Sequence, residues 1–132
     1  MEKSDNQIFI ARKSDIKVAF KKDGLVVYRS DKVLTLKDNK NFVFLLPLLE
    51  EDFDSFYKIS LMGDVGFLIK GLLKAGLSSN SIYWVELSSQ WLEHYLSYNN
   101  DITDLYPLIN GITKDKNYPQ KIRHKLLKAM RR

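Results

Sequence analysis

The side chains that most often do chemistry are few in this chain and poorly spaced for it. There are two histidines, His94 and His124, and no cysteine. No His-x-x-x-His, His-Glu-x-x-His or carboxylate cluster with ligand spacing occurs, so no metal centre is expected. His94 follows Glu93 and lies opposite a tryptophan stripe on the helix expected there, which makes it a surface residue. His124 stands between Arg123 and Lys125 and is given no catalytic role. The serine pairs Ser78-Ser79 and Ser88-Ser89 lack a Gly-x-Ser-x-Gly elbow. Between two tryptophans, Ser88 and Ser89 read as small residues that let a neighbouring helix come close. Gly63-Asp64-Val65-Gly66 has the Gly-x-x-Gly form of an RNA-clamping loop, but Asp64 would repel phosphate. Gly66 and Gly71 have P-loop spacing, with Leu72 where lysine is needed. The chain is therefore expected to be no enzyme and to need no cofactor.

Charge is the stronger signal. The net charge of +5 hides a sorting: residues 1–40 carry +4, residues 41–113 carry −6 and residues 114–132 carry +7. In the middle, Glu50, Glu51, Asp52 and Asp54 fall within five positions. Asp64, Asp101 and Asp104 can be explained as helix N-terminal charges, but four carboxylates in one short run cannot all be. Such a surface would steer a cationic protein. Tyr83 and Tyr98 fall off the apolar face of their helix, near Glu86, and are candidate anchors for the same partner. At the other end Lys121, Arg123, Lys125, Lys128 and Arg131 lie on one short segment, which could track nucleic-acid phosphates. The plainer reading is a terminal helix that docks by its apolar side, Ile122, Leu126 and Met130.

These groups need elements to hold them. Residues 7–11 are mostly apolar, and residues 15–20 alternate with Ile16, Val18 and Phe20 on one face. Lys21-Lys22-Asp23-Gly24 is a turn signal, residues 25–29 are β-branched and aromatic, and residues 32–37 follow a further turn at Ser30-Asp31. This predicts an antiparallel meander of three or four strands, which needs a helical layer over its apolar face. Residues 42–49 are nearly all apolar around Pro47 and fit either a buried strand or a helix start. Helices are expected over residues 50–60, over 64–75 with Asp64 as cap and Gly76 as stop, and over 81–98 with Trp84, Leu87, Trp91 and Tyr95 inward. Two more are expected over 102–112, kinked or split at Pro107, and from Pro119 onward. The aromatic stripe reads as core.

The fold class expected is α+β, with an N-terminal antiparallel meander of three or four strands covered by a C-terminal layer of about five helices. One domain is expected over residues 1–132, strand-rich over 1–46 and helical over 47–132. No apolar run is long enough to span a bilayer, and the polar start does not read as a signal peptide. With the absence of cysteine, this predicts a cytoplasmic protein with no membrane partner.

Residues Tyr83-Trp84-Val85-Glu86-Leu87-Ser88-Ser89-Gln90-Trp91-Leu92-Glu93, followed by Gln120-Lys121-Ile122-Arg123-His124-Lys125-Leu126, resemble small bacterial immunity proteins of contact-dependent or polymorphic toxin systems. The resemblance covers roughly the last fifty residues and carries no residue-level motif. It implies a stoichiometric, non-enzymatic inhibitor of a cognate toxin domain, often a nuclease. The expected mechanism pairs Glu50, Glu51, Asp52 and Asp54 with cations of the toxin, flanked by Tyr83, Glu86 and Tyr98. The alternative is a nucleic-acid-binding or regulatory module that uses Lys121, Arg123, Lys125, Lys128 and Arg131.

Overall fold

A computed structural model describes residues 7–21, 24–30, 32–34, 39–60 and 65–131. The chain forms two compact units, Met1–Leu72 and Leu73–Arg132.

The first unit opens with the meander. Strands β1 (Gln7–Ile10), β2 (Ile16–Lys21), β3 (Gly24–Arg29) and β4 (Lys32–Leu34) pair antiparallel in chain order. Lys21 pairs with Gly24, and Arg29 with Lys32, so the last two hairpins each have a two-residue connection. Ser30, in the second connection, has φ of +56°. Its left-handed backbone is held from the side: its hydroxyl donates to the Asp15 carboxylate, and its amide to the Asp15 carbonyl. Register places Phe9, Val18, Val27 and Leu34 in one cross-strand row. The first three are buried, as is Ile16 on the same face.

Residues 39–50 form a 3-10 helix rather than a strand, and the side chains fit its three-residue repeat. Phe42, Leu45 and Leu48 recur every third position and are buried, as are Leu46 and Leu49 of the next row. The remaining row, Phe44, Pro47 and Glu50, faces outward or is half-buried. In this helix the amide of residue 47 would donate to the carbonyl of residue 44, and proline has none. The Phe44 carbonyl instead accepts from Arg29 Nη1 at 2.5 Å. The proline thus leaves an acceptor that ties β3 to the helix.

Helix α1 (Phe53–Ser60) starts where Asp52 caps it. Asp52 Oδ2 accepts from the Ser55 amide at 3.0 Å and the Ser55 hydroxyl at 2.8 Å. Phe56 is fully buried and meets Phe9 edge-on, with centroids 4.9 Å apart. The inner cover of the sheet therefore comes from within the first unit. Helix α2 (Val65–Leu77) runs past Gly76, so the expected glycine stop is not used; Asn80, with φ of +61°, lies just beyond it. The expected cap Asp64 lies outside the described residues, as do Gly63 and, in the first turn signal, Lys22 and Asp23.

In the second unit α3 (Ile82–Ser97) begins at Ser81, whose hydroxyl accepts from the Trp84 amide at 3.3 Å. Its buried side is Val85, Ser88, Ser89, Trp91, Leu92 and Tyr95. Trp84 and Leu87 are only half-buried, because the buried stripe is turned toward Val85 and the serines. The segment after it splits at its proline. Thr103–Leu105 is a 3-10 turn set by the Asp101 carboxylate, and α4 (Tyr106–Thr113) takes Pro107 in its first turn, where the missing amide costs nothing. Helix α5 (Gln120–Met130) follows Pro119 and packs on α3 and α4 through Ile122, Leu126 and Ala129. The fold is α+β: among the described residues, a four-stranded antiparallel sheet is followed by five α-helices and two 3-10 segments. No described helix is long and apolar enough to cross a membrane.

Candidate interaction surface

The residues of the acidic run differ in burial and in partners. Glu51 is 8% exposed, and its carboxylate accepts from the backbone amides of Arg12 at 3.0 Å and Lys13 at 2.9 Å. A carboxylate can accept both bonds at once, and these two amides, in the β1–β2 loop, find no ladder partner. Glu51 is thus a clamp on the sheet, which corrects its expected place at a partner contact. Asp52 is exposed but works as the cap of α1. Glu50 and Asp54 are half-buried. The 3-10 helix ends at Glu50, and α1 begins three residues later.

Tyr83 and Glu86 lie one turn apart at the start of α3, and Tyr98 follows its last residue. Fifteen residues at the helical rise put the two tyrosines about 22 Å apart along the axis. Both are exposed, with the Tyr83 ring edge-on to Trp84 at 4.9 Å. They and Glu86 belong to the second unit, whereas residues 50–54 belong to the first.

The cations of α5 divide in the same way. Lys121, Lys128 and Arg131 are exposed, and Lys125 is half-buried. Arg123 Nε donates to the Tyr118 carbonyl at 3.0 Å, an intramolecular bond that holds the turn before the helix. Lys125 and Lys128 line a cavity of about 170 Å³ with Ser89, Glu93, Leu96 and Ala129. A carboxylate thus shares the groove that phosphates would need. Among the described residues, no three potential ligand side chains gather in a way that could hold a metal.

The feature that sequence reasoning missed is the other face of the sheet. Register places Ile8 beside Ala19 and Val26, and Ile10 beside Lys17, Tyr28 and Val33. Ile8, Ile10 and Val33 are 52%, 65% and 61% exposed, and Val26 and Tyr28 are half-buried. Lys17 is exposed among them, and no described residue pairs with it. The signal was present as missing alternation: Ile8-Phe9-Ile10 and Val26-Val27-Tyr28 are apolar at every position. Such runs mark strands apolar on both faces, whereas a sheet solvated on one side alternates. At the β1 border of this sheet, a cleft of about 470 Å³ is lined by Phe9, Ile10, Arg12, Glu51, Asp52 and Ser55.

The electrostatics are local. Asp15 is held below the ordinary aspartate pKa, chiefly by the Ser30 hydroxyl, then by a backbone hydrogen bond and by Arg29, whose Nε lies 3.2 Å from Oδ1. Lys74 and Asp104 approach to 3.7 Å at the surface of the second unit.

In comparisons with protein-family models, with curated proteins and with solved structures, no match to this chain was found.

Proposed function

We propose that this chain is a non-catalytic protein-binding inhibitor that neutralises a cognate bacterial toxin domain by covering it, as the immunity-protein resemblance implies. The observation that supports this reading is the open, apolar outward face of the sheet. Contiguous exposed apolar surface on a small protein is commonly an interaction site, and aromatic and aliphatic groups around a polar point suit a hot spot. Lys17 defines the partner. Covering it with apolar surface alone would leave a buried unpaired cation, at a cost of several kcal/mol. The surface that fits is therefore apolar with a carboxylate opposite Lys17. The docking role passes from the acidic run to this face.

The test is neutralisation. A toxin reading frame adjoining this gene is expected to arrest growth when expressed alone and to be silenced by this chain in a 1:1 complex. Val33→Lys and Lys17→Glu, both on exposed positions, should each abolish protection while leaving the circular dichroism spectrum unchanged. Protection that survives both substitutions would reject the sheet face, and the absence of protection would reject the inhibitor reading.

A second reading rests on the exposed Lys121, Lys128 and Arg131 of α5, which could contact phosphates of nucleic acid. Three such contacts predict a salt slope of about −2.7, or a roughly forty-fold affinity loss between about 50 and 200 mM salt. Filter binding to DNA and RNA at both salt levels decides it; the inhibitor reading expects no binding retained at the higher level.

A further inference from the structure

The two edges of the sheet are built differently. β4 carries Lys32, a charge of the kind that blunts an edge against pairing. β1, Gln7-Ile8-Phe9-Ile10, carries no charge, proline or glycine. The direction of its backbone groups follows from one bond. The Ala11 amide donates to the Ile16 carbonyl at 3.0 Å, toward β2. Backbone polarity alternates along a strand, so Phe9 also faces β2, while the amides and carbonyls of Ile8 and Ile10 face away from the sheet. Among the described residues these four groups have no partner, and the open cleft lined by Phe9 and Ile10 lies beside them.

We infer that β1 pairs antiparallel with β1 of a second copy of this chain, about a twofold axis through Phe9. This register places Ile8 opposite Ile10 of the second copy, and Ile10 opposite its Ile8. Directly opposite residues of a hydrogen-bonded pair exchange two bonds, so all four outward groups are satisfied, by four intermolecular bonds. A twofold axis normal to the sheet keeps the faces in place. The Ile8 and Ile10 side chains then form cross-strand apolar pairs on the outward face, and two four-stranded sheets become one of eight strands. Charge permits this. Strand spacing and rise put the two copies of Lys17 about 16 Å apart, beyond the screening length of about 8 Å at physiological salt. Stacking the outward faces on each other would instead bring the lysines into apolar surroundings without a counterion. The contact is a single short strand, smaller than the roughly 1,200 Å² that stable complexes bury, so the dimer is weak and depends on concentration.

Sedimentation equilibrium on the full chain from about 10 µM to about 1 mM should show a reversible monomer–dimer equilibrium with dissociation constant in the upper micromolar range. Over the same range, amide exchange at Ile8 and Ile10 should slow as concentration rises, whereas exchange at Phe9, already bonded to β2, should not change. Ile10→Lys places a charge on the edge without altering the backbone and should leave a folded monomer; Val33→Lys, on the opposite border of the same face, should leave dimerisation intact. A chain that stays monomeric throughout, or a dimer lost with Val33→Lys but kept with Ile10→Lys, overturns the inference. Neither result bears on toxin neutralisation, which is read separately.

Discussion

Glu51 shows how a single side chain can be taken from function by geometry. Its carboxylate satisfies two amides at once, and bonds to a charged acceptor are worth more than neutral ones. Glu51→Gln keeps the shape but offers one acceptor oxygen and turns an NH₂ group toward a donor. It should cost about 1–3 kcal/mol, read as a lower urea midpoint with unchanged slope. Asp15 yields a prediction of pH dependence. Folding lowers its pKa, so its contribution is complete above the ordinary aspartate range and is lost as pH falls through the folded value, below about pH 4. Asp15→Asn should therefore flatten the acid limb of a stability–pH profile and leave it unchanged in shape above pH 5. At this scale the sequence showed charges but not their partners. Nothing in Glu50-Glu51-Asp52 says that the second carboxylate meets amides 38 and 39 residues away, because that contact exists only once the 3-10 helix lies beside the β1–β2 loop.

Elements were more legible, because they depend on local patterns. The alternation of Ile16 and Val18 gave β2, α3 starts at the cap expected at Ser81 or Asn80, and the kink or split expected at Pro107 is a split, as its missing amide allows. Ser81→Ala should cost about 1 kcal/mol through the lost cap, measured by thermal unfolding. The apolar run around Pro47 was ambiguous for a physical reason. A three-residue repeat with one buried row and a second buried from Leu46 onward looks like a continuous apolar strand, and 3-10 helices of this length are uncommon. The close approach of α2 to that helix was invisible in sequence. At Gly71 a Cβ atom would lie 2.2 Å from Cε1 of Phe42. Phe42 is buried and edge-on to Phe67, with centroids 5.7 Å apart, so it has little room to yield. Gly71→Ala should therefore destabilise by about 1–3 kcal/mol, despite the better helix propensity of alanine. Phe42→Leu in the same chain should recover part of the loss, a coupling that a double-mutant cycle would measure.

At the scale of the whole molecule, the sorting of charge by region was read correctly from sequence, but its meaning changes with the fold. The acidic middle is divided between a clamp, a cap and half-buried positions, and the basic end contains an arginine bonded to its own chain. On the outward sheet face, by contrast, Ile8, Ile10 and Val33 are exposed side by side. Two of its residues sit on β1, so the partner surface and the pairing edge adjoin. If copies pair as inferred, the face available to a partner doubles without any new residue.

The clamp also sets an order of events during synthesis. Arg12 and Lys13 leave the ribosome nearly forty residues ahead of Glu51. At ordinary elongation rates that is an interval of about 2–8 s, far longer than a hairpin needs to form. During it the nascent meander has both faces bare and its first loop untied. The amides of Arg12 and Lys13 keep their bonds to water through that interval and exchange them for the Glu51 carboxylate only once residue 51 arrives.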